Sequence, residues 1–345
     1  MILNCRDAIF IVVDKLKYMN TFGRIFRVSV FGESHGEAIG AVIDGVPAGI
    51  AICEDDFSAD IDRRRSGAKG TTPRKEADIP EILSGVYEGH TTGAPLAVIF
   101  RNGNTRSGDY SLFKDMPRPG HADRVADIKW NGYNDPRGGG HFSGRLTLPV
   151  VAAGVIAKKI LSGISVACSL VEVGGLPYSS DSLEIKSIID EAARDGDSLG
   201  GVAECIVDGL PAGLGEPFFD SVESLVAHSI FAVPGVRGIE FGDGFASACM
   251  KGSEHNDVFG EDGLPATNGA GGVNGGITNG AQLRFRVAFK PTASIRKAQR
   301  TLNFAEGMME ELEVPGRHDV CFALRAPVVV EAMTAIVIAD LVAVG

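Results

Sequence analysis

Residues 31–36 read FGESHG, a carboxylate, a hydroxyl and an imidazole in a row between two glycines. The stretch satisfies G-x-S-x-G, which on a sharp strand-to-helix turn would make Ser34 an acyl-transfer nucleophile. The segment that follows, EAIGAVIDGVPAG, alternates in polarity and ends on a proline turn. That pattern predicts a second strand, so the loop is a hairpin tip and the hydrolase context is missing. Taken alone, His35 reads as a turn histidine bonded to its own backbone.

Other stretches gather reactive or charged groups. In RPGHAD (118–123) a Pro119–Gly120 turn leads into His121, with Arg118 and Asp123 beside it. An imidazole so flanked can act as acid or base near neutral pH, although a solvated loop is the blander reading. DRRRSGAKGTTPRK (62–75) sets Arg63, Arg64, Arg65, Lys69, Arg74 and Lys75 against the single acid Asp62. Arginine forks match carboxylates and phosphates in bidentate geometry. No interleaved aromatics accompany them, which disfavours nucleic acid. DPRGGGHFSGR (135–145) runs into an apolar helix, where glycine N–H groups and a helix N-terminus favour an anion. It is neither a P-loop nor a Rossmann fingerprint. A second glycine-dense stretch, NGAGGVNGGITNG (268–280), leads through a strand to KPTAS (290–294), where Lys290, Thr292 and Ser294 suit a phosphate. Together these residues describe a pocket for polyanions with two candidate imidazoles. They do not specify the reaction.

The rest of the chain must position them. It has 345 residues, 44% hydrophobic and 22% charged, the balance of a globular protein with a sizeable core. A net charge of −11 argues against general nucleic-acid binding. The six cysteines show no metal-ligand spacing and read as buried free thiols of a reducing compartment. Residues 1–18 hold a short apolar run, Ala8 to Val13, too short to span a membrane and without a signal-peptide cleavage region. QLRFRVAF (282–289) and RIFRVSVF (24–31) alternate as strands. DSVESLVAHSI (220–230) reads as a helix with Asp220 and Glu223 as a capping box. LPVVAAGVIAKKIL (148–161) and APVVVEAMTAIVIADL (326–341) are apolar around most of their circumference, as buried helices are. DGVPAGI (44–50) recurs as DGLPAGL (208–214), each after an apolar β-like run. The expectation is an α+β layered fold with duplicated halves, each pairing strands with a buried helix.

The motifs FGESHG, RRRSG, TTPRKEAD, EILSGVYEG, TTGAPLAV, RPGHAD, GGGHFSGRLTLPVVAAG, GIEFGDGF, GSEHND, AFKPTASI and GRHDVCFALRAPVVVEAM, in this order, resemble the chorismate synthase family. The resemblance runs from about Asn20 to the C-terminus. It implies a layered β-α-β sandwich with buried helices between antiparallel sheets. It implies loss of phosphate and a ring proton from 5-enolpyruvylshikimate 3-phosphate by trans-1,4-elimination, giving chorismate. It further implies a requirement for reduced FMN without net redox change. The family resemblance also implies a cytoplasmic homotetramer with no nucleic-acid or membrane partner. Family members begin near NTFG, so residues 1–18 are expected to be an extension with Met19 as the native start, and 19–345 a single domain.

Site roles follow from the same resemblance. His35 matches the histidine that protonates the departing phosphate, and His121 the one that protonates reduced flavin. Asp319 matches the acid that works with a flavin ring nitrogen in removing the proton. Arg64, Arg118, Arg145 and Arg317 match substrate- or cofactor-contacting arginines. Ser34, His141, Phe142, Ser143, Gly235, Gly275, Lys290, Pro291, Thr292, Ala293, Ser294 and Arg317 fall on flavin-binding stretches. Ser34 and Ser143 are placed to orient protons. Two departures stand out. Many members read GGGRSSAR where this chain has GGGHFSGR, so His141 and Phe142 replace a basic and a small polar residue. The basic loop lacks a second arginine before TT, for which Lys69 is the expected substitute. His228 is expected to be structural, His90 a surface residue, and His318 a positioning group. The competing class is a non-catalytic flavin- or anion-binding protein that kept the pocket.

Overall fold

The structure is a computed structural model that describes residues 20–72, 76–103, 112–316 and 318–345. The 1–18 extension, Cys5, Arg74, Lys75 and Arg317 lie outside the described residues.

Alternating apolar residues build two five-stranded antiparallel sheets. The first holds β1 (Thr21–Phe22), β2 (Arg27–Gly32), β3 (Ala38–Asp44), β4 (Glu81–Ser84) and β5 (Leu96–Arg101), in the order β1-β2-β3-β5-β4. The second holds β6 (Ser165–Val173), β7 (Leu176–Pro177), β8 (Gly201–Asp208), β9 (Val236–Phe241) and β10 (Leu283–Phe289), in the order β9-β10-β8-β6-β7. In β10 the buried face is Leu283, Phe285, Val287 and Phe289, while Arg286 pairs with Glu240 of β9 on the other side. FGESHG joins β2 to β3, pairing Val30 with Ala41, and is the hairpin tip its sequence indicates.

Between the sheets lie two buried helices, α3 (Thr147–Ile160) and α6 (Pro327–Val344). The first lies on the first sheet, the second on β6 and β8, and the two pack on each other. Contact is closest at Gly154, where a Cβ would stand 2.4 Å from the Cβ of Ala332. The layered α+β arrangement is the expected one. Smaller helices flank it: α1 (Ser58–Arg64), α2 (Asp123–Lys129), α4 (Leu183–Arg194) and α5 (Val222–Ile230).

The duplication is deeper than the DG-x-PAG echo. β3 and β8, which end in Asp44 and Asp208, are the central strands of their sheets. After each comes the same turn, clamped by a distant threonine. Thr91 Oγ1 accepts from Ile50 N–H at 2.9 Å and donates to Pro47 O at 2.6 Å. Thr278 Oγ1 accepts from Leu214 N–H at 2.9 Å and donates to Pro211 O at 2.7 Å. The clamping segments, GVYEGHTTGAPL (85–96) and GVNGGITNGAQL (272–283), form matching hairpins that pair Val86 with Thr91 and Val273 with Thr278. Glu88 and Gly275 occupy the same turn position, both at positive φ (48° and 62°).

Three expectations change. The strand expected from Arg24 begins at Arg27, because buried Asp340 of α6 accepts N–H bonds from Arg24, Ile25 and Phe26 at 2.7–2.9 Å and holds them in a turn. The cap of α5 is Ser221, whose Oγ accepts from Ser224 N–H at 3.1 Å, while Asp220 pairs with Arg24 instead. Cys168, Cys205 and Cys321 are buried free thiols, but Cys53 and Cys249 are exposed. The helix α6 has a mean hydropathy of 2.1 over 18 residues, enough to cross a membrane by length and composition, yet 72% of it is buried in the protein. Its Glu331 and Asp340 are both paired inside the fold, which marks a core helix.

Candidate active site

A cavity of about 1200 Å³ opens where the N-terminal end of α3 and the middle of α6, at Met333 and Ile336, meet loops from both halves. The first turn of α3, which supplies Thr147 and Val150 to the wall, favours negative charge there. The loop ahead of α3 contributes Gly138 and residues 141–147; the loop ahead of α6 contributes His318, Asp319, Phe322 and Arg325.

The glycine triplet is the hub. Gly138, Gly139 and Gly140 all have positive φ (62°, 81° and 54°). A Cβ on Gly138 would stand 2.5 Å from His35 Cδ2 and 2.7 Å from Ser34 Oγ, so only glycine lets the FGESHG tip seat there. Ser34 N–H donates to Gly140 O at 3.1 Å, and Ser143 Oγ donates to Ser34 Oγ at 3.2 Å. One residue along, a Cβ on Gly139 would stand 3.5 Å from His121 Nε2. Adjacent glycines of the triplet therefore meet the two imidazoles. His121 and Ser143 line the cavity; buried His35 and Ser34 sit directly behind Gly138, which does line it.

Arg118 ties RPGHAD to KPTAS. Its Nη1 donates to Ser294 Oγ at 2.9 Å, and Lys290 Nζ donates to Gly120 O at 2.6 Å. Lys290, Pro291, Thr292, Ala293, Ser294 and Gly235 all line the cavity. Thr292 Oγ1 is buried without a hydrogen-bond partner, an unusual cost unless a ligand supplies one.

The basic loop divides. Arg64, only 4% exposed, donates from Nε to Thr147 Oγ1 at 2.9 Å and from Nη2 to Gly144 O at 3.1 Å, bracing the entry to α3. Burial, then the nearby charges of Arg325 and Arg145, push it down to about 9, with Asp78 and Asp319 opposing. Cations crowded to this degree are short of negative charge, and a bound anion would supply it. Arg145 Nη1 donates to Asp78 Oδ1 at 2.5 Å and its Nε to Asn102 Oδ1 at 2.7 Å. Asn102 Nδ2 donates in turn to Gly36 O at 2.8 Å, linking this arginine to the FGESHG hairpin. Arg63 instead leaves the cavity for Glu331. Lys69, the expected substitute for a missing arginine, pairs with Asp190 of α4 and lines a smaller neighbouring cavity.

Asp319 lines the cavity with its carboxylate held from two sides. Arg325 donates from Nε at 3.1 Å and Nη2 at 2.7 Å, and Thr72 N–H donates at 2.9 Å. Asp78 and Arg325 are site residues that the sequence reading passed over. Asp78 lies in the EAD motif, but its arginine partners are remote in sequence. Arg325 lies two residues before Pro327, which opens α6, where an apolar helix signal hides it.

The remaining placements are plain. His141 lines the cavity, with Nδ1 2.8 Å from Gly32 O and Nε2 3.2 Å from Asn20 Oδ1. Phe142 also lines it and packs on Trp130, ring centroids 5.4 Å apart. His318 lies at the wall between the two cavities, lowered from its ordinary value chiefly by burial, and donates from Nε2 to Pro315 O. His228 of α5 lines the apolar end against Phe22. His90 is exposed. Gly275 does not line the cavity: it forms a hairpin tip, with no heavy atom within 4 Å of a Cβ placed there.

Residues 26–343 match the family model for chorismate synthase. A chorismate synthase of Chitinophaga pinensis is 60% identical over 324 residues, covering 93% of this chain and 96% of the relative. One from Korarchaeum cryptofilum is 45% identical over 346 residues, covering 92% and 96%. A crystal structure of chorismate synthase superposes with a TM-score of 0.71 at 27% identity, covering 93% of this chain and 92% of that one.

Proposed function

Because the chain belongs to the chorismate synthase family and is thereby a phosphate-eliminating lyase of the shikimate pathway, we propose how its residues divide the elimination. The substrate, 5-enolpyruvylshikimate 3-phosphate, carries two carboxylates and a phosphate. Arg64, Arg118 and Arg145 bind and orient these groups, with Arg325 beside them. His35 delivers a proton to the departing phosphate, since a protonated phosphate leaves more readily. Ser34 and Ser143, linked by their hydroxyls, orient that proton. Asp319, oriented by Arg325, receives the proton lost from the ring. His121 holds a proton beside Gly139 of the glycine triplet.

The cavity also fits a reduced FMN. The unpartnered Thr292 Oγ1, with Lys290 and Ser294 nearby, suits its phosphate, and Gly138 lines the same space. When bound, the reduced flavin supplies transient electron density to the reacting ring, which no side chain can. His141, Phe142 and Gly235 border the same space. Arg317, by its motif, belongs with the substrate and cofactor arginines, and Gly275 keeps a hairpin turn. The assembly is a homotetramer in the cytoplasm, with 19–345 as the native domain.

The observation that carries this reading is the convergence of His121, Asp319, Arg64, Arg118 and Arg145 on one cavity, with His35 seated directly behind it. The test is an anaerobic assay with reduced FMN, following phosphate and chorismate together. Equal release of both is expected. Flavin binding without phosphate release would establish the non-catalytic binding protein instead. Oxidised FMN with NADPH tests whether the chain reduces its own flavin, read as NADPH consumption.

A further inference from the structure

His121 follows the Pro119–Gly120 turn, and Asp123 opens α2 two residues later. The Asp123 side chain is 9% exposed and is not part of the cavity lining. Its Oδ1 lies 2.6 Å from His121 Nδ1 and accepts from Arg118 Nη2 at 2.7 Å. Its Oδ2 accepts from Arg118 Nε at 2.8 Å and from the Arg118 N–H at 3.1 Å. Arg118 Nη2 also stands 3.0 Å from His121 Nδ1. One ring nitrogen thus faces a group that only accepts and a group that only donates. The carboxylate prevails, because it is nearer, carries a full negative charge, and already takes the Nη2 bond. Burial opposes ionisation of Asp123, but bonds from Arg118 and His121 outweigh it and hold the carboxyl far below its ordinary value.

We propose that Asp123 is a positioning residue, which fixes neutral His121 as the Nδ1–H tautomer and leaves Nε2 as the atom that exchanges protons with the cavity. The inference rests on the reading of His121 as a proton-handling group. Nε2 is on the glycine-triplet side of the ring, 3.5 Å from where a Gly139 Cβ would stand. A proton gained at Nε2 gives an imidazolium whose charge Asp123 offsets, and its loss restores the Nδ1–H ring. Other charged groups around this pair are Arg118 on the same segment, Lys290 from the loop after β10, and His318, which feels Arg118 from the loop before α6. None of them accepts from Nδ1. Without the carboxylate, Arg118 Nη2 would donate to Nδ1, move the ring proton to Nε2, and leave no lone pair facing the cavity.

The test is ¹⁵N NMR of histidine-labelled, ligand-free protein, with His121 assigned by the loss of its signals in H121Q. Wild type is expected to show the Nδ1–H pattern, D123N the Nε2–H pattern, and D123E the wild-type pattern. In the same variants turnover of D123N is expected to fall about a hundredfold, with substrate KM changed less than about threefold and D123E partly restored. A neutral wild-type ring whose single proton is on Nε2 overturns the proposal whether or not the variants fold. So does D123N with the wild-type pattern. A changed tautomer with unchanged turnover overturns the part of His121 in the reaction and leaves the positioning role standing.

Discussion

Consecutive glycines let two imidazoles approach one loop, His35 at Gly138 and His121 at Gly139, and a side chain on Gly138 would collide with His35. Chemistry at this scale is a matter of which atoms face which. His35→Ala and His121→Ala are each expected to lower kcat by about 10²–10⁴-fold, the usual range for a lost acid or base, with an unchanged circular dichroism melt. Wild-type turnover in either variant would remove that histidine from the reaction. Asp123 was visible beside His121 because both lie in one hexapeptide. Asp78 was not, because Arg64 and Arg145 reach it only through the fold.

At the level of elements, α3 and α6 supply both the core and the wall of the site. Gly154→Ala would drive a methyl to 2.4 Å from Ala332 Cβ and 2.6 Å from its Cα, backbone that cannot give cheaply. Overpacking of this kind costs about 1–3 kcal/mol, more than the roughly 1 kcal/mol of helix propensity gained. A lower urea midpoint at constant slope would bear this out, and an unchanged or higher midpoint would contradict it. Glu331 of α6 accepts from Arg63 at 2.8 Å and from Lys158 of α3 at 2.7 Å. Burial opposes its ionisation, but these partners outweigh it and leave the carboxyl below its ordinary value. A depressed acid stabilises the fold above its unfolded pKa and loses that contribution as pH falls through the folded one. Glu331→Gln should therefore cost about 2 kcal/mol at pH 7 and progressively less below about pH 4.5. Urea titrations showing the same loss at pH 7 and pH 4 would refute the linkage.

For the whole molecule, two similar halves meet with their helices inward, and the cavity lies at their junction. Asp340 closes that junction from the far end by binding the 24–26 backbone to α6. The outer surface is less complete. Phe218, Phe219, Phe245 and Phe259 are 78–91% exposed, apolar surface that contact between copies would cover. Burying it between copies is consistent with the proposed tetramer. Light scattering on the eluting protein should give four times the mass of the chain, and a monomer at micromolar concentration would exclude that assembly.

Periodicity and motif order determined the element types, the hairpin at FGESHG, the two buried helices and the family. These are local or nearly contiguous signals, and a pattern of apolar residues carries them without knowledge of distance. Tertiary structure alone decided where the basic loop sends each cation, that Thr91 and Thr278 clamp equivalent turns, and that Gly275 turns a hairpin away from the cavity. It also decided that Asp78 and Arg325 join the site. Such pairings depend on which surfaces meet when two sheets close over two helices, and linear spacing does not encode that geometry.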